Sequence, residues 1–447
     1  MTSTLIVNAR CVNEGREFDA DLRIEGERIA AIGSLTARAG ETVIDARGRR
    51  LLPGMIDDQV HFREPGLEYK ADMASESAAA IAGGITSFMD MPNTTPPTLD
   101  ATALADKLQR AQGRCRANYG FYLGASNDNL DAIRALDPRQ APGLKVFMGA
   151  STGNMLVDDP AVLDGIFRET PVPVITHCED TPMIEANLAA WRARYGDDIP
   201  ADAHPDIRSR EACIKSTRLA IGLARRHGTR LHVLHVSTAD ELELFDAAPL
   251  IAADGSRKRI TAETCVHYLH FDRSDYARLG HRIKCNPAIK EASDREALIA
   301  ALVDDRIDVL ATDHAPHTLE EKSRDYVHAP SGLPLVQYAL LIGLDRVRDG
   351  RLSNAQLVQK CAHAAAQLFD VHERGFLREG YFADLVIIDD APLTVRRQDV
   401  LSKCAWSPFE GHTFASSIAA TWVNGVLAWD GQQLVGAPNG QRLEYAR

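Results

Sequence analysis

The sequence is poor in the features that would place it in several specialised classes. Its eight cysteines are scattered over 447 residues without a Cys-x-x-Cys pair, which favours reduced thiols over a disulfide framework. No apolar run approaches the ~18 residues of a membrane span. The 50 basic and 62 acidic residues give a net charge of -12, which opposes binding to a phosphate backbone. We therefore predict a soluble, cytoplasmic protein that binds neither membranes nor nucleic acid.

The length of the chain exceeds what one ordinary core accommodates, so we expect a large domain with a smaller companion. Residues 1–50 contain short alternating segments, with a hairpin predicted about Glu25-Gly26. Residues 368–447 return to short strands separated by turn residues. We predict that these two terminal segments form one small β-sandwich, and that residues 51–367 form the large domain.

Between the two ends, short apolar runs alternate with helical stretches, a pattern typical of βαβ units and a parallel sheet. The Ala-rich segment 72–84, acidic at its start and ending in glycine, is typical of a barrel helix. Eight candidate strands follow one another: Leu51–Val60, Ile85–Met89, Asn118–Leu123, Leu144–Met148, Val172–Thr176, Arg230–His235, Arg259–Thr264 and Val309–Thr312. Eight strands of this kind predict an α/β fold, the TIM (β/α)8 barrel.

Barrel enzymes carry their chemistry at the carboxyl ends of the strands. Polar residues collect at those positions: His61, Asn93, Lys145, His177, His235 and Asp313. His61 and Arg63 place a metal ligand and an anion binder two residues apart at the end of strand one. This pairing indicates catalysis on a small acidic substrate, and the charged loop 316–332 after strand eight is a candidate flap over it.

Two neutral imidazoles on adjacent strands, His177 and His235, are suited to zinc that keeps one position open for water. Side chains alternate along a regular strand, so only one of His232 and His235 can look into the barrel. We assign His235 to the site and His232 to a structural role. By the same argument His314 points away from the direction of Asp313.

Lys145 is an unusual residue for a buried barrel strand, because an unpaired ammonium there would be strongly destabilising. Two interpretations remain open. Carboxylation by CO2 would turn the lysine into a bridging anion for metals. Otherwise an aspartate or glutamate pairs with it.

Several motifs together resemble those of the dihydroorotases, which are cyclic-amide hydrolases of the amidohydrolase superfamily. The segments that carry the resemblance are Asp57-Asp-Gln-Val-His-Phe-Arg-Glu-Pro-Gly66, Asp90-Met-Pro-Asn-Thr94, Lys145-Val-Phe-Met, His177-Cys-Glu-Asp, Leu234-His-Val-Ser-Thr238, Asn286-Pro, Thr312-Asp-His-Ala-Pro-His317 and Ser407-Pro-Phe-Glu-Gly411. The resemblance extends over the whole chain and implies the same barrel fold.

The resemblance also implies a set of metal ligands. Zinc would be held by His177, His235 and a carboxylated Lys145, and a second metal position would be lined by His61 and Asp313. Asp313 would in addition transfer the proton. The substrate-binding residues that the resemblance implies are Arg63, Asn93 and His317 for a carboxylate, and Asn286 with the Ser331-Gly332 backbone for the ring amide edges.

One position departs from the pattern of the resembled family. Strand one of the family reads Asp-x-His-x-His, whereas this chain has Gln59 in place of the first histidine. An amide oxygen is a much poorer zinc ligand than an imidazole. We therefore expect one firm zinc and a second position that is weak or empty.

The activity implied by the resemblance is the reversible hydrolysis of (S)-dihydroorotate to N-carbamoyl-L-aspartate in pyrimidine biosynthesis. Arg63 separates this substrate from uncharged rings, because its planar fork matches a carboxylate. Two alternatives stay open: an allantoinase or hydantoinase type of cyclic-amide hydrolase, and a non-catalytic scaffold for aspartate transcarbamoylase, suggested by Gln59. The resemblance also leads us to expect a homodimer and an association with aspartate transcarbamoylase.

Overall fold

The computed structural model describes residues 3–149 and 155–447. Its strands, in chain order, are β1 (Ser3–Asn13), β2 (Arg16–Glu25), β3 (Arg28–Gly33), β4 (Thr42–Asp45), β5 (Arg50–Pro53), β6 (Met55–Val60), β7 (Ile85–Asp90), β8 (Asn118–Phe121), β9 (Leu123–Gly124), β10 (Leu144–Phe147), β11 (Val174–His177), β12 (Leu231–Val233), β13 (Ile260–Cys265), β14 (Val309–Ala311), β15 (Leu385–Asp389), β16 (Leu393–Thr394), β17 (Thr413–Phe414), β18 (Ser417–Val423) and β19 (Val426–Trp429).

The helices lie mostly between the barrel strands, as βαβ units require. Their bounds are α1 (Met73–Ala82), α2 (Ala101–Ala111), α3 (Leu130–Arg134), α4 (Pro160–Glu169), α5 (Thr181–Tyr195), α6 (His204–Ile207), α7 (Arg210–His227), α8 (Tyr276–Leu279), α9 (Ala292–Val303), α10 (Leu319–Lys322), α11 (Ala339–Arg348), α12 (Asn354–Val358) and α13 (Ala364–Leu368). A π-helical turn, Gln359–His363, joins α12 to α13.

Strands β6 to β14 form a parallel barrel. Backbone hydrogen bonds give the strand orders β6-β7-β8 and β9-β10-β11-β12-β13-β14. Because β8 and β9 are consecutive segments of one strand, the barrel has eight strands. The barrel closes where the His61 N–H donates to the His314 carbonyl over 2.7 Å. The predicted TIM barrel is confirmed, and each of its strands from the second onward overlaps the predicted segment.

The first predicted strand, 51–60, is in fact two strands that belong to different sheets. Strand β5 pairs with β1 and β15 outside the barrel, whereas β6 pairs with β7 inside it. Gly54 separates the two at a point where the chain passes very close to β7, since a Cβ there would lie 2.1 Å from Thr86 Oγ1. The barrel therefore begins after Gly54 and not at residue 51.

The two ends of the chain build one companion sheet of eight strands. Its order is β19-β18-β15-β5-β1-β2-β3, with β4 beside β1. The predicted hairpin about Glu25-Gly26 is present as the antiparallel pair β2 and β3. The two terminal segments thus meet in a single structure beside the barrel.

Helix α1 begins and ends at the residues that its sequence predicts. The Asp72 side chain accepts the Ser75 N–H and caps the first turn, and Gly83 follows the last turn. The helix buries its alanines against the barrel, and it also buries one acidic side chain, Glu76. That carboxylate bonds to His314 in the loop after β14.

Apolar packing fills the barrel interior near the amino ends of the strands. Ile56, Ile175 and Val309 belong to the same apolar cluster as Ala365 and Phe369, which follow the π-helical turn. This packing closes that end of the barrel, so the polar residues gather at the opposite end.

Each of the eight cysteines is free, which agrees with reduced thiols. Within residues 3–149 and 155–447, no helix has the length and apolar character needed to cross a membrane.

Candidate active site

A small cavity lies at the carboxyl ends of the barrel strands. Its wall is formed by Gln59, His61, Arg63, Lys145, Phe147, His177, His235, Asn286, Asp313, Ala315, Ser331 and Gly332. Every site residue predicted from the sequence is on this wall except Asn93 and His317, which contact wall residues from behind. Residues that are far apart in the chain thus converge on one small space.

Two buried imidazoles face each other in the cavity. His177 Nδ1 lies 2.9 Å from His235 Nε2. Burial lowers the pKa of His177 and carries the pKa of His235 well below its usual value, so both rings are neutral at pH 7. His235 Nδ1 is buried without a hydrogen-bond partner in the described part of the chain. Converging neutral imidazole nitrogens are the donors that zinc prefers.

Two buried carboxylates outside the predicted set support this pair. Glu179 Oε2 lies 3.0 Å from His177 Nε2 and also pairs with the Arg208 guanidinium. Burial alone would raise the pKa of Glu179, but Arg208 and His177 outweigh it and lower that pKa to about 2. Glu263 Oε1 accepts the backbone N–H of His235 over 3.3 Å. Carboxylates that orient ligand histidines are a regular feature of metal sites.

Lys145 lies on β10 with 1% of its surface exposed. Its Nζ is 4.7 Å from the centre of the Phe147 ring. Asp313 and Glu263 act on it only through their charges, and no carboxylate of the described residues hydrogen-bonds to it. Burial lowers the pKa of Lys145 to about 8. Within residues 3–149 and 155–447, the structure therefore shows no acidic residue paired with Lys145.

On the opposite wall, Asp313 contacts both Gln59 and His61. Its Oδ1 accepts from Gln59 Nε2 over 3.0 Å and lies 3.1 Å from His61 Nε2. Gln59 thus points its amide N–H groups toward Asp313, where the resembled family has an imidazole. Asn93 Oδ1 lies 2.8 Å from His61 Nδ1, so Asn93 orients His61 and does not line the cavity.

Arg63 brings the strongest positive charge to the wall. Its Nε donates to the Pro316 carbonyl over 3.1 Å, and its Nη2 lies 2.9 Å from His317 Nε2. Burial lowers the pKa of Arg63 to about 10, so the group stays charged at neutral pH. Behind it, Lys70 Nζ lies 3.0 Å from His317 Nδ1. His317 therefore sits between two cations and positions Arg63.

The loop 316–332 is ordered by contacts to its own backbone. Lys322 Nζ donates to the carbonyls of Lys284, Pro330 and Gly332 over 2.9, 2.9 and 3.0 Å. The short helix α10 begins with a capping box from Thr318. The candidate flap thus forms one wall of the cavity and is held closed against the barrel in this structure.

The residues expected to bind a ring amide differ in whether their polar groups already have hydrogen-bond partners. Asn286 Oδ1 is buried without a hydrogen-bond partner in the described chain, and it can accept from a ring N–H. The Gly332 N–H donates to the Lys284 carbonyl over 2.9 Å, and its own carbonyl accepts from Lys322. The Ser331 carbonyl in turn lies 3.0 Å from His317 Nε2, so both carbonyls of this segment already have a partner.

The prediction that only one of His232 and His235 faces the barrel interior is wrong. His235 has a φ of +40°, which breaks the alternation of side chains after β12. His232 Nε2 lies 3.3 Å from Asp58 Oδ2 of β6, a strand that is not a neighbour of β12, so this contact crosses the interior. His314 does point away from Asp313, because its Nε2 lies 2.8 Å from Glu76 Oε2 of α1.

Comparisons with known proteins agree with this geometry. The profile of the amidohydrolase family matches residues 50–428. A dihydroorotase from Halobacterium salinarum is 37% identical over 415 residues, which cover 92% of this chain and 93% of the relative. An allantoinase from Bacillus velezensis is 30% identical over 426 residues, covering 94% of this chain and 92% of the relative. The solved structure of an L-hydantoinase (dihydropyrimidinase) from Arthrobacter aurescens superimposes with a TM-score of 0.92 at 30% identity, over 99% of this chain and 100% of that one.

The chain therefore belongs to the amidohydrolase family, and it is an enzyme of the hydrolase class. The resemblance inferred from the motifs is confirmed. The family is typically metal-dependent, and the converging imidazoles supply a donor set of the kind that such enzymes need.

Sequence reasoning missed Glu179, Glu263 and Phe147. Glu179 and Phe147 each had a signal, because each follows a candidate site residue, His177 or Lys145, by two positions in a motif already singled out. Glu263 had none, since it is recognisable only from its contact with the His235 N–H beside the neighbouring strand.

Proposed function

We propose that this chain is a zinc-dependent dihydroorotase, which interconverts (S)-dihydroorotate and N-carbamoyl-L-aspartate in de novo pyrimidine biosynthesis. The observation that carries the proposal is the buried Arg63 on the same cavity wall as His177 and His235. A ring-opening centre beside a fixed guanidinium suits a cyclic amide that bears a carboxylate. The relative from Halobacterium salinarum that bears this name supports the same substrate.

Zinc fits the residues that are present. The rings of His177 and His235 are neutral, and the buried His235 Nδ1 has no hydrogen-bond partner among the described residues, so it is free to bind a metal. His177, His235 and Lys145 would hold the ion, with Asp313 and His61 beside it. When bound, zinc supplies Lewis acidity that polarises the amide carbonyl and makes water nucleophilic at neutral pH.

Lys145 would serve as a ligand in its carboxylated form. Its amine is buried, lacks an ionic partner among the described residues and has a pKa of about 8, so a substantial fraction is neutral near that pH. The nitrogen lone pair of the neutral amine attacks the carbon of CO2, and one N–H proton is released to give a carbamate with one negative charge. This anion would balance part of the charge of the cation.

Asp313 would move the proton of the reaction. Its carboxylate projects into the cavity and is held by Gln59 and His61. In the hydrolytic direction it accepts a proton from the attacking water and delivers that proton to the leaving ring nitrogen. In ring closure the same group acts in reverse order.

Gln59 favours one firm metal position over two. Its amide nitrogen is engaged by Asp313 over 3.0 Å, and its Oε1 lies 3.9 Å from Cys265 Sγ. This side chain therefore stabilises Asp313 directly and offers a weak oxygen ligand at most. We infer one firm zinc and a second that is labile or absent.

The second candidate is a hydrolase of an uncharged cyclic amide. The allantoinase and L-hydantoinase relatives favour it, since both match nearly the whole chain. The non-catalytic scaffold is a less suitable interpretation, because a scaffold has no use for Lys145, two imidazoles and Asp313 around one cavity. The predicted homodimer and association with aspartate transcarbamoylase stay predictions.

The deciding experiment compares hydrolysis of dihydroorotate, allantoin and dihydrouracil by the purified protein and by its Arg63→Met variant. We expect dihydroorotate to be the preferred substrate. Loss of the guanidinium should lower kcat/KM for it by about 100-fold, equivalent to the ~3 kcal/mol of a strong charge-assisted contact.

Arg194→Met, which removes an exposed arginine on α5, is the matched control and should leave kcat/KM unchanged. Turnover of allantoin or dihydrouracil without turnover of dihydroorotate would refute the proposed substrate. A zinc-free protein that shows no turnover after zinc is added back would support the scaffold.

A further inference from the structure

A second cluster of potential metal ligands lies inside the barrel, toward the amino ends of the strands relative to the active-site cavity. Asp58 of β6, His232 of β12 and Glu263 of β13 meet there, with 0%, 1% and 0% of their surfaces exposed. His232 Nε2 lies 3.3 Å from Asp58 Oδ2 and 3.5 Å from Glu263 Oε2. None of the three lines the active-site cavity, and Glu263 reaches that site only through the His235 N–H.

Four donor atoms of this cluster have no hydrogen-bond partner among the described residues. They are Asp58 Oδ1, Asp58 Oδ2, His232 Nε2 and Glu263 Oε2. Buried polar atoms of this kind are rare, because each forfeits its hydration without compensation. Four such atoms around one point indicate that something else satisfies them.

The spacing of these atoms suits ligands of one ion better than partners in hydrogen bonds. Hydrogen bonds to nitrogen and oxygen lie at about 2.7–3.2 Å. Ligands of a tetrahedral ion with bonds of about 2.1 Å are about 3.4 Å apart. The separations of 3.3 and 3.5 Å at His232 Nε2 match the second distance.

The tautomer of His232 is fixed by its other ring nitrogen. His232 Nδ1 lies 2.8 Å from Thr261 Oγ1, and that hydroxyl donates its own hydrogen to the Leu231 carbonyl over 3.1 Å. The hydroxyl oxygen must therefore accept from Nδ1–H. In the neutral ring this leaves the lone pair of Nε2 directed toward the two carboxylates, the orientation that a ligand of an ion held between the three groups needs.

The charges of the cluster suit a cation. Asp58 and Glu263 bring two buried carboxyl groups to one imidazole, with one ligand atom of each of the three residues within 4.8 Å of the others. A divalent ion held there would balance both carboxylates at once.

We propose that Asp58, His232 and Glu263 form a buried structural site for a divalent transition-metal ion, separate from the metal centre at the strand ends. A donor set of one imidazole and carboxylate oxygens suits Zn²⁺, and Mn²⁺ as the harder alternative. The ion enters while the barrel folds, since the finished site is closed to solvent.

The site is connected to the catalytic wall by two of its ligands. Glu263 uses Oε1 to accept the His235 N–H and uses Oε2 toward the ion. Asp58 directly precedes Gln59 on β6. A bound ion would therefore fix the backbone at two wall residues, so Asp58, His232 and Glu263 act as positioning residues and not as catalytic ones.

The test measures metal per chain in protein produced with added Zn²⁺, by elemental mass spectrometry before and after dialysis against a chelator. We expect wild-type protein to keep one chelator-resistant equivalent that Asp58→Asn and His232→Gln lack. Asp57→Asn is the matched control: it changes a buried carboxylate on the same strand that bonds to Thr312 instead, and it should keep that equivalent.

An anomalous-difference map at the zinc edge of wild-type crystals is the second measurement. A peak between the three side chains supports the proposal even if the Asp58 variant does not fold. The proposal is overturned by a map without that peak, or by equal metal content in wild type and a folded Asp58→Asn.

The experiment also separates this site from the catalytic one. Lys145→Ala should lose the metal of the strand ends and keep the resistant equivalent. If Lys145→Ala keeps all its metal while Asp58→Asn loses one equivalent, the assignment at the strand ends fails and the buried site stands.

Discussion

Three residues of the candidate active site have backbone conformations that L-residues seldom adopt. Arg63, His235 and Asp313 have φ values of +69°, +40° and +50°. Each follows the end of a barrel strand, and the left-handed turn redirects its side chain from the strand direction into the cavity. The strain of about 1–2 kcal/mol at each position must be offset by the rest of the fold. Its concentration at one cavity fits a functional role.

The role of Asp313 predicts a variant that binds metal but does not turn over. Asp313→Asn keeps the size of the side chain and can still bond to His61, but it cannot carry a proton at neutral pH. We expect turnover to fall by about 10²–10⁴-fold, the usual contribution of a proton-transferring group. Zinc content, measured on the same preparation, should stay within about twofold of wild type.

Lys145→Ala is the matched comparison for that variant. Here a proposed ligand is removed, so we expect zinc to be lost together with activity. Intact metal in this variant would show that Lys145 is not a ligand. Loss of metal in Asp313→Asn would show that Asp313 is also needed to bind the metal.

At the scale of elements, helix α1 is tied to the loop that carries Asp313. Glu76 Oε2 lies 2.8 Å from His314 Nε2 and accepts from Ser402 Oγ over 2.5 Å, and its Oε1 accepts the Lys403 N–H over 3.0 Å. One buried carboxylate thus joins a barrel helix, the strand-eight loop and the carboxyl-terminal segment. The helix pattern predicted α1, but it did not predict that the buried Glu76 connects the helix to this loop.

These contacts predict that Glu76→Gln destabilises the protein. The amide keeps one acceptor but brings N–H groups to a place already occupied by donors. We expect a loss of about 1.5–3 kcal/mol in the free energy of unfolding, the range for hydrogen bonds to a charged group. Chemical denaturation measures it.

Glu185→Gln, at an exposed position of α5, is the control and should change stability by less than about 0.5 kcal/mol. A Glu76 variant as stable as this control would show that the carboxylate does not hold the loop.

At the scale of the whole molecule, the companion sheet and the barrel are joined by buried polar contacts. Asp384 Oδ1 accepts the Asn424 N–H over 2.8 Å, and its Oδ2 accepts from Asn118 Nδ2 of β8 over 3.0 Å. His363 of the π-helical turn makes a second connection. It accepts the Glu14 N–H at Nε2 over 2.9 Å and bonds to the Gly375 carbonyl through Nδ1 over 2.6 Å.

His363 predicts a dependence of stability on pH. Burial lowers its pKa to about 4 in the folded protein, against about 6.5 in an unfolded chain. Between these values the unfolded state binds a proton that the folded state does not. The His363 contribution is therefore complete above pH 6.5 and is lost as the pH falls, by up to about 1.4 kcal/mol per pH unit.

The measurement compares urea unfolding of wild type and His363→Gln at pH 7.5, 6.0 and 5.0. Wild type should be the more stable at pH 7.5, and the gap should shrink at each lower pH because glutamine does not titrate. A constant gap across the three conditions would mean that the pKa of His363 is the same in the folded and unfolded states.

The sequence by itself determined the barrel, the helix α1 and most of the cavity wall. Strand and helix periods are local properties, and residues at the ends of parallel strands must gather at one end of a barrel. Motifs then placed His61, Lys145, His177, His235 and Asp313 on strand ends, where the structure brings them together.

Only the tertiary structure decided which side chains meet across the barrel and which stand behind the wall. The split of the first strand at Gly54 depends on a close approach to Thr86, and the facing of His232 depends on a contact with Asp58 from a strand that is not its neighbour. The positive φ at His235 overrides the alternation that a regular strand would impose. These outcomes follow from packing between residues that are distant in the chain, a quantity that no local pattern contains.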